Sequence, residues 1–230
     1  MAAGTRSSTA APGIPRPVEA ALALGGLLFC SPLLALASVG IAVTSPGPVL
    51  FRQRRVGRGG RPFTLYKLRT MRPSSTGSDV TARDDPRITP FGRLLRRTKL
   101  DELPQLWNVL RGDMGLVGPR PEVPQYVNVD DPLWQRVLEV RPGITDPVTL
   151  RLRDEEALLG AVDGDRERFY RQELLPSKLR EYASYLDRRS WRTDVQILVR
   201  TVAVLLGARG LGSDEKAAAS AERPADRGAR

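Results

Sequence analysis

From Ala20 to Phe51 the chain carries no charged residue, and this run limits its fold more than any other feature. Its most apolar part, Ala20–Val43, exceeds the ~20 residues a membrane helix needs. The run is too long for a secretory signal, and no clear small-x-small cleavage site follows it. A buried core helix of this length belongs in a larger protein. A straight transmembrane span is opposed by Ser31-Pro32 in its middle. Proline removes a helix hydrogen bond and kinks the helix, and a neighbouring serine hydroxyl can satisfy the backbone that the bend frees. Arg6 and Arg16 precede the run; Arg52, Arg54, Arg55, Arg58, Arg61, Lys67, Arg69 and Arg72 follow, with no acid until Asp79. Basic flanks prefer the cytoplasmic side. Both ends therefore favour one face, and the expectation is a re-entrant hairpin over residues 16–46, broken at Ser31 and Pro32.

The rest of the composition narrows the chemistry. The 230 residues hold 36 Lys and Arg against 26 Asp and Glu, a net charge of +10 that calls for an anionic partner. There is no histidine, which removes imidazole bases and His-ligated metals. One cysteine, Cys30, removes disulfides and cysteine-cluster zinc. Acids, bases and nucleophiles must come from Asp, Glu, Lys, Tyr, Ser or Thr, and a metal should be hard and oxygen-bound, Mg²⁺ before Zn²⁺. Nucleic acid is not the expected partner: aromatic stacking platforms and reader motifs are missing, and a long apolar anchor is present.

Residues 1–15 and 213–230, small and polar, read as disordered. Residues 47–212 form the expected cytoplasmic domain. Within it, Val49–Gln53 and Phe63–Lys67 flank Gly57-Arg58-Gly59-Gly60, a β-hairpin with a glycine turn. Lys67 and Arg69 leave it towards the core and are phosphate-site candidates; the other arginines suit solvent or lipid headgroups. Near the C-terminus, residues 165–187 read as a helical stretch interrupted at Pro176. Residues 193–206 read as a helix too short to span, suited either to the membrane interface, with Trp191 at headgroup level, or to capping the domain.

The chemistry concentrates in residues 85–146. Leu103, Leu106, Trp107 and Leu110 repeat at i, i+3, i+4, i+7, which predicts an amphipathic helix with Pro104 in its first turn. Asp101 and Glu102 then sit at its N-terminus, Asp101 opposite the apolar stripe and free of any need for burial. One reading makes the pair a helix cap. The other uses Arg93, Arg96, Arg97 and Lys99 just upstream: such a site keeps a carboxylate ionised and attracts phosphate. An ionised Asp beside phosphorus can attack it, and a second carboxylate can hold Mg²⁺ on the phosphate oxygens. Gly118-Pro119-Arg120-Pro121 fixes a rigid arginine that can fork onto phosphate or lock a carboxylate. Arg141-Pro142-Gly143 repeats the logic more weakly.

The run TKLDELPQLWNVLRGDMGLVGPRPE, with VLFRQRRVGRGGRPFTLYKLRTM before it and VRPGIT after it, closely resembles the bacterial sugar transferase family, the monotopic polyprenyl-phosphate phosphoglycosyl transferases. The resemblance covers roughly residues 16–146. It implies a short-form enzyme on the cytoplasmic face of the inner membrane, with a re-entrant helix broken at Ser31-Pro32. It implies Asp101 as nucleophile, Glu102 as the Mg²⁺-associated carboxylate, and Lys67, Arg96 and Arg120 as basic site residues. The implied partners are a nucleotide diphosphate sugar, polyprenyl phosphate and membrane lipids, with a homodimer as a further candidate assembly. The expected fold is mostly α with a small β-hairpin: a membrane helix-hairpin, a compact catalytic domain and amphipathic interfacial helices. After Thr145 the chain departs from the usual Gly-Trp and Asn-Gly-Arg elements and reads Asp146-Pro147-Val148 through Glu155-Glu156.

Overall fold

The computed structural model describes residues 11–72, 81–82, 84–152 and 155–207. The proposed disordered tail at 213–230 and the first ten residues lie outside that set. Residues 11–15 do not: Ile14 donates its N–H to Asp194 at 3.3 Å and packs into the core.

Helix α1 spans Arg16–Thr44 as one element, with Pro32 inside it. Pro32 has no N–H for the carbonyl of Leu28, four residues back. Ser31 Oγ donates to that oxygen at 2.8 Å. The serine thus satisfies the carbonyl that the proline leaves free, and Arg16–Thr44 remains one helical element through the Ser-Pro pair. Both ends dock on the same globular body. At the N-terminal end Arg16 donates to the carbonyls of Val109 and Leu110, Glu19 accepts from Leu116 N–H at 2.9 Å, and Ala23 is fully buried. At the C-terminal end Ala37 and Ile41 pack with Leu68 and Leu95. Between them Leu28, Phe29 and Leu36 are exposed.

Strands β1 (Leu50–Val56) and β2 (Pro62–Leu68) form the expected hairpin, in a register pairing Phe51 with Lys67. Gly59 and Gly60, at φ +66° and +74°, carry the turn, a region side chains avoid. Helix α2 (Pro90–Thr98) starts at a Thr89 cap, and α3 covers Gln105–Arg111.

A second, parallel sheet was not foreseen. β3 (Gly115–Val117) pairs with β4 (Gly143–Thr145), next to the two segments read only as settings for Arg120 and Arg141. A Cβ on Gly143 would lie 2.1 Å from the Gly118 nitrogen, so these backbones meet only because both positions are glycine. Helices α4 (Pro132–Val137), α5 (Pro147–Arg151), α6 (Glu155–Gly160) and α7 (Arg166–Phe169) follow.

Pro176 does not interrupt the next stretch. A π-helical turn over Tyr170–Leu174 leads into α8 (Leu175–Asp187), and Pro176 falls in the first turn of α8, where its missing N–H is harmless. Helix α9 (Trp191–Leu205) begins with a Ser190–Thr193 capping box. It buries Asp194 and Ile197 and exposes Trp191, Val195, Val199 and Val202, one apolar stripe at helical spacing.

Candidate active site

Asp101 and Glu102 lie on a single 3₁₀ turn, Leu100–Glu102, between α2 and α3. Lys99 sets the turn by ending α2 in the left-handed region at φ +57°, the one non-glycine residue with positive φ among those described. The amphipathic helix therefore starts later than its apolar spacing suggests, with Pro104 as its cap. Its inner face is Gln105, Asn108 and Val109, while Trp107 is half exposed and Leu106 touches Gly26 of α1. Leu106 and Leu110 of the apolar stripe pack, partly buried, against the core, while Trp107 faces outward. The competing signal was present: Asp101, Gln105 and Asn108 also recur at i, i+4, i+7.

That polar stripe positions the site. Asn108 Oδ1 accepts from Tyr66 N–H at 3.1 Å, and its Nδ2 donates to Thr64 O at 2.7 Å, so a side chain replaces a missing strand partner and clamps β2 to α3. The clamp sets Lys67 against the 3₁₀ turn, with Nζ 3.3 Å from Glu102 Oε1. From the other side Arg120 forks onto Glu102 at 2.8 and 3.2 Å. Its loop is fixed behind by the second sheet, where Gly118 N–H reaches Thr145 O and Gly143 N–H reaches Pro119 O. Gln105 Nε2 adds a fourth donor, to Glu102 Oε2 at 3.0 Å. Each Glu102 oxygen thus accepts two hydrogen bonds. Burial alone would raise its pKa, but Arg120 and Lys67 together outweigh that and hold the carboxyl well below its ordinary value. Burial lowers Lys67, against the pull of Glu102.

Asp101 is the opposite case. It is 5% exposed, so the expectation that it need not be buried is overturned. Its Oδ1 is buried without a hydrogen-bond partner. Neither the 3₁₀ turn nor α3 has a side-chain cap, which removes the helix-cap reading. Burial pushes its pKa up; Lys67, Arg96 and Lys99 pull it down and Glu102 pushes it further up.

The remaining candidates divide. Arg96 stands close enough to act on Asp101, yet its guanidinium is bound to Glu156 at 2.5 and 3.1 Å and to Thr70 Oγ1 at 3.2 Å. Glu156, from the segment after Thr145, is the site residue that sequence reasoning missed; nothing local distinguishes it from a solvated acid. Arg69 spends its guanidinium on the carbonyls of Ser45 and Pro46, both at 2.6 Å, and so ties the exit of α1 to β2. Arg141 donates to Gly112 O at 3.0 Å behind α3. These two arginines brace the scaffold, because backbone carbonyls claim them before a phosphate can.

Mg²⁺ is usually held by one or two carboxylates plus substrate phosphate oxygens. Among the described residues no group of three or more possible ligands exists. Asp101 Oδ1 is buried and accepts no hydrogen bond, so its lone pairs are uncommitted. Glu102 is filled by its four donors and can turn an oxygen to a metal only after Lys67 or Arg120 leaves it for a phosphate. The pair therefore fits Mg²⁺ jointly with a diphosphate, not by itself.

An unpaired buried acid, cations bonded to its neighbours and a long apolar helix stand on one body. A profile of the bacterial sugar transferase family matches residues 12–208, and the chain belongs to that family. It is 42% identical over 191 residues to the UDP-glucose:undecaprenyl-phosphate glucose-1-phosphate transferase of Caulobacter vibrioides, covering 81% of this chain and 67% of that one. It is 47% identical over 115 residues to the putative undecaprenyl-phosphate N-acetylgalactosaminyl 1-phosphate transferase of Bacillus subtilis, covering 49% and 64%. A Xanthomonas campestris protein named like the first is 37% identical over 192 residues, 81% of this chain and 37% of its own length.

Proposed function

We propose that the protein transfers a sugar-1-phosphate from a nucleotide diphosphate sugar, most simply a UDP-sugar, to undecaprenyl or a similar polyprenyl phosphate. Nucleoside monophosphate is released, and the step initiates the assembly of an exopolysaccharide or glycoconjugate. The observation that carries this reading is the unpartnered, buried Oδ1 of Asp101 inside a cage of cations, in a chain of this family.

In the first half-reaction Asp101 Oδ1 attacks the sugar-bearing phosphorus. The bond from that phosphorus to the bridging oxygen breaks, and nucleoside monophosphate leaves with the electron pair. A phosphosugar remains on Asp101. In the second half-reaction a polyprenyl phosphate oxygen attacks the same phosphorus and the Asp101 carboxylate leaves. Carboxylates and phosphates ordinarily ionise below neutral pH, so the reaction calls for no general base and the lack of histidine costs nothing. The harder task is assembling several anions, and Lys67, Arg96 and Arg120 oppose that repulsion. Mg²⁺, held by Asp101 and Glu102 with the diphosphate, would neutralise further charge there.

Membrane placement follows from α1. Its apolar stretch is long enough to cross a bilayer by length and composition. A crossing helix puts its ends on opposite sides, whereas both ends of α1 dock on one body. This supports a re-entrant helix that enters and leaves by the cytoplasmic face of the inner membrane, with the α9 stripe at the interface. In a Cys30→Ser background, Ala11→Cys and Arg58→Cys should both resist an impermeant thiol reagent outside intact cells. Labelling of Ala11→Cys alone would mean that α1 spans. For the reaction itself, a screen of UDP-glucose, UDP-N-acetylgalactosamine and other donors with undecaprenyl phosphate should release UMP. Release of UDP would instead mark a glycosyl transfer without phosphate.

A further inference from the structure

Lys67 and Arg96 are the engaged cations that act on Asp101, and neither is bonded to it. Lys67 and Arg120 are on Glu102, and Arg96 is on Glu156 and Thr70. Lys99, exposed at the end of α2, acts only through space. An orphaned acceptor beside a guanidinium is costly, and a forked Arg–carboxylate pair is among the strong hydrogen-bonded contacts. Released from Glu156, Arg96 would keep one amine on Thr70 and be free to turn its remaining donors to Asp101, on which its charge already acts. A carboxylate forked by arginine has its lone pairs engaged and attacks phosphorus poorly.

Glu156 is well placed to prevent this. It stands on α6, which is braced separately by Glu155 on the buried Lys178 Nζ at 3.2 and 3.3 Å. Its hold on Arg96 is thus set by the scaffold before any substrate arrives. We propose that Glu156 is a positioning residue that keeps Arg96 off Asp101, so that the attacking oxygen stays unpaired until the donor diphosphate enters. The inference rests on Asp101 being the nucleophile.

The test is a rapid-quench measurement of the first half-reaction in detergent without lipid acceptor. It scores UMP release and the phosphosugar adduct, using the UDP-sugar that the screen identifies. Glu156→Gln should slow adduct formation by about tenfold while shifting the donor KM by less than about twofold. In an Arg96→Gln background, itself slow, Glu156→Gln should change the rate by less than about twofold, because no arginine remains to misplace. Glu155→Gln, which loosens the same helix without freeing Arg96, should stay within about twofold of wild type. Equal slowing by Glu156→Gln in both backgrounds, no slowing in either, or equal slowing by Glu155→Gln would overturn the proposal. Absence of any adduct in the wild-type protein would instead overturn the reading of Asp101.

Discussion

Two acidic pairs lie on either side of Arg96 and end in opposite states. Glu155-Glu156 on α6 is fully engaged, Glu155 with Lys178 and Glu156 with Arg96. Asp101-Glu102 on the 3₁₀ turn is split: Glu102 accepts four hydrogen bonds, and Asp101 Oδ1 accepts none. Local charge density does not separate the two pairs. What sets Asp101 apart is that Lys67 and Arg96 are bonded to other groups and leave it buried, close to positive charge and unpaired. Such a group destabilises the fold, and a cost carried at one position fits a role in the reaction there.

The largest effect should come from removing the unpaired acid. Asp101→Asn should lower turnover by about a thousandfold or more, since an amide neither attacks phosphorus nor carries charge. The same change should raise the thermal midpoint. Ionising a carboxylate whose folded-state pKa is raised costs stability as pH climbs from its ordinary value through the raised one, and that cost persists at neutral pH. Asparagine removes it. A variant that is inactive and also less stable would contradict the contrast between the two acids.

Glu102→Gln should act the other way on stability. With its pKa depressed, Glu102 contributes stability that is present above its ordinary value and lost as pH falls through the folded-state one. Removing its charge leaves the half-buried Lys67 and Arg120 without their salt-bridge partner, a loss of about 3 kcal/mol or roughly 10 °C in midpoint. The measurement is a melting series from pH 3 to 8 in EDTA, where the wild-type advantage over Glu102→Gln should shrink towards the acid end. Glu155→Gln should cost less, about 1–2 kcal/mol, because Lys178 keeps Tyr170 at 3.2 Å and Glu122 at 3.5 Å. Lys99→Gly should be the smallest change, gaining up to about 1 kcal/mol by relieving the positive φ while removing a distant charge.

How legible each part was follows from where its signal lies. The apolar run, its Ser-Pro repair, the glycine hairpin and the Asp-Glu pair are local patterns, readable within a dozen residues. The parallel pairing of β3 with β4 joins segments 28 positions apart, and each alone looks like a turn. Arg69 and Arg141 could not be told from Lys67, Arg96 and Arg120 by sequence, because which carbonyl claims a guanidinium depends on the tertiary fold. The same holds for Glu156, whose partner is 60 residues away. The burial of Asp101 was misread for a more ordinary reason. Helical geometry was extended one turn too far towards the N-terminus, across a residue that the left-handed Lys99 had already placed on a different turn.

The central claim is that Asp101 carries the transferred group. Wild-type protein in detergent, given a UDP-sugar and no lipid acceptor, should gain the mass of one phosphosugar after acid quench. Peptide mapping should place it on Asp101, adding undecaprenyl phosphate should discharge it, and Asp101→Asn should never acquire it. An unmodified wild-type mass under conditions where UMP is released, or full turnover in Asp101→Asn, would show that the unpaired carboxylate is not the nucleophile.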